Sequence, residues 1–97
     1  MRKARYTMVI TNDIGMHEKL FVSISSPEKI VWEGEADALT SENSKGSFDV
    51  LPGHANFITI IEKKPIIVRR IDGEKEFTFP TAILYVRANN VTVYTNI

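Results

Sequence analysis

Ninety-seven residues allow one domain with a single core and little margin. A hydrophobic share of 43% and a charged share of 25% are those of an ordinary globular chain, and twelve basic residues against twelve acidic ones leave no global field to gather nucleic acid or anionic lipid. The absence of cysteine removes disulfides, thiolate nucleophiles and Cys-ligated zinc together.

Taken in chain order, residues 1–19 hold one short apolar run, Tyr6-Thr7-Met8-Val9-Ile10, followed by the turn formers Asn12, Asp13 and Gly15. They read as an N-terminal extension, either a loose arm or an added edge strand. Arg2, Lys3 and Arg5 precede no sustained apolar segment, so no secretory signal is expected. Runs such as Phe57-Ile58-Thr59-Ile60-Ile61 and Ile66-Ile67-Val68 are too short to span a bilayer as helices, and the cytoplasm is the expected location.

From Leu20 the pattern becomes regular. Leu20, Val22 and Ile24 alternate with Phe21, Ser23 and Ser25, the period of a half-buried strand. Ser26-Pro27-Glu28 is a turn, because Pro27 lacks a ladder N–H and restricts Ser26. Residues 29–33 predict a second strand, Gly34 an interruption, and residues 35–41 a third strand. Asn43-Ser44-Lys45-Gly46 is another turn cluster. Two short apolar runs then flank Leu51-Pro52-Gly53-His54-Ala55. Pro52 presets φ and Gly53 accepts φ > 0, which suits the two centres of a type II turn.

Two hairpins can be registered. Asp72-Gly73 favours a two-residue type I′ turn, which sets Arg70 opposite Lys75, Arg69 opposite Glu76 and Val68 opposite Phe77. Asn89-Asn90 sets Ala88 opposite Val91, Val86 opposite Val93 and Tyr85 opposite Tyr94. Each register gathers one apolar face: Ile66, Val68, Phe77 and Phe79 in the first, and Leu84, Val86, Val91 and Val93 in the second. No window sustains a helical period. The chain is read as all-β, with about nine to ten strands in a two-sheet β-sandwich or flattened barrel over residues 20–97 and no substantial helix.

Catalytic chemistry finds little support. His17 and His54 are the candidate imidazole bases. His54 near Asp49 suggests a base and its orienter, yet no Gly-x-Ser-x-Gly elbow accompanies them. Two distant histidines give no zinc-ligand spacing, and isolated Gly46 and Gly53 form no phosphate loop, so no catalytic, metal or cofactor site is assigned. Arg69, Arg70 and Arg87 beside Tyr85 and Tyr94 could make a stacking platform for nucleic acid, but cross-strand neutralisation of Arg69 by Glu76 favours solvent-facing strand residues. Trp32 reads as a core or sheet-edge anchor. An interaction module remains.

The run Gly46-Ser47-Phe48-Asp49-Val50-Leu51-Pro52-Gly53-His54-Ala55 resembles the signature loop of the ε subunit of bacterial and chloroplast F-type ATP synthases. Residues 22–28 (Val-Ser-Ile-Ser-Ser-Pro-Glu) resemble that family's opening strand and corner. Trp32-Glu33-Gly34-Glu35-Ala36 and Asn90-Val91-Thr92-Val93 resemble two later steps, in the right order. The implied fold is the N-terminal β-sandwich of ε. The implied role is non-catalytic and needs no cofactor. It is a central-stalk subunit coupling γ to the c ring during rotation in a proton- or sodium-translocating synthase.

By position, the resemblance assigns Pro52, Gly53, His54, Ala55 and Phe57 to the γ-facing surface. It assigns Ser26, Pro27, Glu42, Ser47 and Phe48 to the ring-facing end. It also implies a peripheral place on the cytoplasmic face of the inner (plasma) membrane, membrane contact only through the complex, no nucleic acid and no homo-oligomer. The sequence departs from the family at Ser47, usually acidic, at Asp49, usually glycine, and at Thr81-Ala82, usually Gly-Gly. Family members usually continue into a C-terminal helical hairpin. The last residue here is Ile97, so the inhibition and nucleotide binding of that hairpin are not carried over. The alternative is a stand-alone β-sandwich binding module for sugar, peptide or single-stranded nucleic acid, with Tyr85, Tyr94 and Arg87 as its patch.

Overall fold

The computed structural model describes residues 18–96. The extension run Tyr6-Thr7-Met8-Val9-Ile10 and His17 lie outside the described residues. Within them, period-2 patterning yields nine strands: β1 (Leu20–Ser25), β2 (Ile30–Ala36), β3 (Ala38–Asn43), β4 (Gly46–Val50), β5 (Phe57–Ile61), β6 (Pro65–Arg70), β7 (Gly73–Thr78), β8 (Ala82–Arg87) and β9 (Asn90–Thr95). They form a five-stranded sheet, β2-β1-β9-β8-β5, and a four-stranded sheet, β4-β3-β6-β7. Neighbours pair antiparallel except β1 and β9, which run parallel. The sheets keep separate edges, so the fold is an open sandwich and not a closed barrel.

The inner faces carry the core. Leu20, Val22 and Ile24 of β1 and Leu84 and Val86 of β8 are fully buried against Leu39, Val50, Ile66 and Val68 of the other sheet. Each such side chain contributes roughly 1.5–3 kcal/mol by leaving water, which is the term that holds two sheets together. The core's buried polar groups are satisfied. Ser41 Oγ donates to the Pro65 carbonyl at 2.9 Å, and Thr95 Oγ1 donates to the Ser25 carbonyl at 3.5 Å.

Aromatic side chains plug the two open sides. Along β5 and β4, Phe48 meets Phe57 edge to face at 5.3 Å, and Phe57 meets His54 at 5.7 Å. Along β2 and β7, Trp32 packs on Phe77 at 6.2 Å with the Arg70 guanidinium 5.6 Å from the indole centre. This places Trp32 as the sheet-edge anchor its sequence context suggests.

Three expectations need correction. Gly34 does not interrupt β2; the strand runs through it and breaks at Asp37 instead, where the chain changes sheets. The reason is packing. The Trp32 ring lies over Gly34 so closely that an added Cβ would sit 2.9 Å from two of its carbons.

Both hairpins are shifted by two residues from the expected pairing. In the first, Ile71 and Asp72 form the turn, Arg70 pairs with Gly73 at φ 134, Arg69 with Glu74 and Ile66 with Phe77. In the second, Ala88 and Asn89 form the turn, Arg87 pairs with Asn90, Val86 with Val91 and Tyr85 with Thr92. A slide of two keeps every inward side chain facing inward, so burial cannot choose between these registers. Smaller terms decide. The first slide removes the opposition of Arg70 and Lys75 and keeps Arg69 against a glutamate, Glu74 in place of Glu76. The second puts Asn89 in the loop, where Gly53 N–H donates to its side chain at 2.8 Å.

Candidate docking surface

The link between β4 and β5, residues 51–56, is the most sharply shaped connection in the fold. His54 N–H donates to the Leu51 carbonyl at 3.0 Å, closing a turn centred on Pro52 and on Gly53 at φ 84. A positive φ at the second centre makes this the type II turn that Pro-Gly favours. The corner is not packed away. Gly53 and Ala55 are exposed, and Pro52 and His54 half-buried. His54 Nδ1 donates to the Ala55 carbonyl at 2.7 Å, while its ring leans on Phe57. Asp49 sits in regular β4 and accepts a bond from Thr40 Oγ1 at 2.7 Å. The structure therefore brings Pro52, Gly53, His54, Ala55 and Phe57 together as one continuous feature.

On the outer face of the five-stranded sheet lies a surface of which sequence reasoning singled out Tyr85, Tyr94 and Arg87 but not the isoleucines beside them. The outward residues of the five-stranded sheet form registered rows. Ile58 sits across from Tyr85, and Tyr85 from Thr92; Ile60 sits across from Ile83, and Ile83 from Tyr94. Ile58 is 65% exposed, Ile60 56%, Tyr94 46% and Tyr85 36%, and the next row on the same face holds Arg87 and Asn90. In the chain the patch starts one residue after Phe57, which begins β5 with its own side chain turned to the inner face beside Val86. A signal was present in the sequence. Phe57-Ile58-Thr59-Ile60-Ile61 is apolar at both parities, whereas a strand with one solvated face should alternate.

The residues expected at the ring-facing end separate into two groups. Ser26 and Pro27 form the β1–β2 corner, where Ser26 N–H donates to the Lys29 carbonyl at 2.8 Å and Ser26 Oγ accepts from Lys29 N–H at 3.3 Å. Glu42 and Ser47 pair across the β3–β4 hairpin, and Lys64 lies 3.7 Å from Glu42. Strand directions put both at the end of the sandwich opposite residues 51–56, since β4 runs from that hairpin to the corner and β5 runs back. Phe48 does not join them; it packs against Phe57 on the corner's side.

The basic patch considered for nucleic acid is divided. Arg69 and Arg70 belong to the four-stranded sheet, where Arg69 pairs with Glu74 and Arg70 Nε lies 3.6 Å from Asp72, while Arg87 belongs to the five-stranded sheet. Among the described residues no group of three His, Cys, Asp or Glu side chains is placed to hold a metal ion.

Comparison with known proteins agrees with this geometry. The family model described as "ATP synthase, Delta/Epsilon chain, beta-sandwich domain" matches residues 19–97. The ATP synthase epsilon chain of Leptospira borgpetersenii is 33% identical over 78 residues, covering 80% of this chain and 61% of the relative. That of Endomicrobium trichonymphae is 35% identical over 75 residues, covering 77% of this chain and 54% of the relative. The chain thus spans little more than half the length of these relatives. Among solved structures, the central stalk/c-ring of the Tetrahymena thermophila mitochondrial ATP synthase superposes with a TM-score of 0.68 at 14% identity, over 80% of this chain and 63% of the other. The Euglena gracilis mitochondrial ATP synthase, OSCP/F1/c-ring, gives 0.74 at 14% identity, over 94% and 59%. At such identities the two structures attest the fold. The family match, over nearly the whole described chain, attests more: this chain belongs to the ATP synthase delta/epsilon family through its β-sandwich domain.

Proposed function

We propose that the chain is a central-stalk subunit of an F-type ATP synthase and that its sandwich couples γ to the c ring during rotation without catalysing a reaction. The observation that carries the reading is the apolar stretch outside β5, β8 and β9, Ile58, Ile60, Ile83, Tyr85 and Tyr94, bordered by Arg87 at the end nearer the 51–56 corner, on a domain of this family. The Tetrahymena match, itself a central stalk with its c ring, points the same way. In this reading γ covers Ile58, Ile60, Tyr85 and Tyr94 together with Pro52, Gly53, His54, Ala55 and Phe57. A corner ordered before contact loses less entropy when it docks. The opposite end, with Ser26, Pro27, Glu42 and Ser47, meets the c ring, and Phe48 supports the γ side. The subunit is held peripherally at the membrane by these contacts.

Reconstitution with the γ subunit and c ring of the same synthase tests the assignment. The wild-type chain co-purifies with both. His54→Glu and Ile58→Glu each weaken retention on γ, and Pro27→Glu weakens retention on the ring alone. Wild-type-like assembly of the His54 and Ile58 variants would remove γ from this surface.

A further inference from the structure

Asn56 and Asn89 make a reciprocal clasp between the corner and the β8–β9 turn. In a type II turn the central peptide leaves its N–H outside the turn's own hydrogen bond, so the Gly53 amide needs an acceptor from elsewhere. Asn89 Oδ1 supplies it at 2.8 Å. In return, Asn56 Oδ1 accepts the Ala88 N–H at 3.1 Å. Ala88 stands at φ 54, a left-handed conformation that a residue bearing a Cβ adopts only with support.

Two further groups of Asn89 are also engaged. Its carbonyl accepts the Phe21 N–H at 2.8 Å, and its Nδ2 donates to Glu18 Oε1 at 3.4 Å. One residue thereby joins the corner, the neighbouring turn and the start of β1. Flipping the 52–53 peptide would convert the corner to type I and reverse the Gly53 N–H. The bond to Asn89 is made in only one of these two states.

We propose that Asn56 and Asn89 are positioning residues, which act through Ala88 and Gly53 to fix the corner in its docking geometry before γ arrives. This rests on the corner being the docking element. Its test therefore needs one readout that involves no partner. In the full chain, amide hydrogen exchange at Gly53 reports the clasp, and the association rate with γ reports docking. Loss of one net hydrogen bond in Asn89→Ala raises Gly53 exchange about fivefold and slows association by a similar factor. Asn89→Asp keeps the acceptor for Gly53 and the backbone bond to Phe21 while setting a carboxylate against Glu18, so exchange and association stay near wild type although the contact with Glu18 is lost.

Unchanged Gly53 exchange in Asn89→Ala overturns the clasp. Faster exchange with undiminished association overturns the positioning role, and retention of His54→Glu on γ shows separately whether the corner docks. Should Asn89→Ala fail to fold, Gly53→Ala serves instead. Its Cβ meets nothing within 4 Å, so it perturbs only a backbone held at φ 84. It must slow association, and an unaltered rate refutes the proposal.

Discussion

Outside the five-stranded sheet, Ile58, Ile60, Ile83, Tyr85 and Tyr94 lie in adjacent rows with no charge between them. Outside the four-stranded sheet, Arg69 pairs with Glu74 and also donates through Nε to Thr40 Oγ1 at 3.0 Å, and Thr40 in turn bonds Asp49. Both sheets need an apolar inner face to make the sandwich; neither needs an apolar outer one. Leaving apolar area in water forgoes about 25 cal/mol per Å², and an edge strand such as β5 also invites unwanted pairing. The asymmetry is confined to the β5, β8 and β9 side, because Glu33 and Glu35 face outward on β2. It is what supports the proposal that this part of the five-stranded sheet meets a partner.

The largest expected effect comes from making the two faces alike. Ile58→Glu combined with Ile60→Glu reduces association with γ by on the order of a hundredfold, as removal of central apolar anchors does. Both side chains point outward, so thermal unfolding of the isolated chain changes little. A joint fall in affinity and stability would show that the face serves the fold. Gly34→Ala does the converse. Its Cβ collides with the Trp32 ring, costing about 1–3 kcal/mol of stability in denaturant titrations. It also shifts the emission of Trp32, the chain's one tryptophan, while γ association persists in the folded fraction. The smallest effect belongs to Arg69→Ala. The partly exposed pair with Glu74 contributes roughly 0.2–1 kcal/mol, less at high salt, and its loss leaves γ association unaltered.

Much of this architecture is legible in residue order. Leu20, Val22 and Ile24 announce β1 by alternation, and Pro52-Gly53 announces its turn because few pairs suit those two backbone positions. What stays hidden involves terms smaller than burial or partners distant in the chain. A two-residue slide of either hairpin leaves the core faces unchanged, so the choice fell to the repulsion of Arg70 and Lys75 and to Asn89 against Gly53. Gly34 looked like a break because sequence does not show that the ring two residues earlier covers it. The docking face was half visible in the double-sided apolarity of β5. Its extent required knowing that β8 and β9 lie beside β5.

Hydroxyl-radical footprinting of the chain, free and assembled with γ and the c ring, is the most direct trial of the asymmetry. Reactivity at Ile58, Tyr85, Tyr94 and His54 should fall on assembly, while Ile67 and Glu76 on the other sheet remain as reactive as before. Protection of Ile67 and Glu76, with the two tyrosines still fully reactive, would contradict the account.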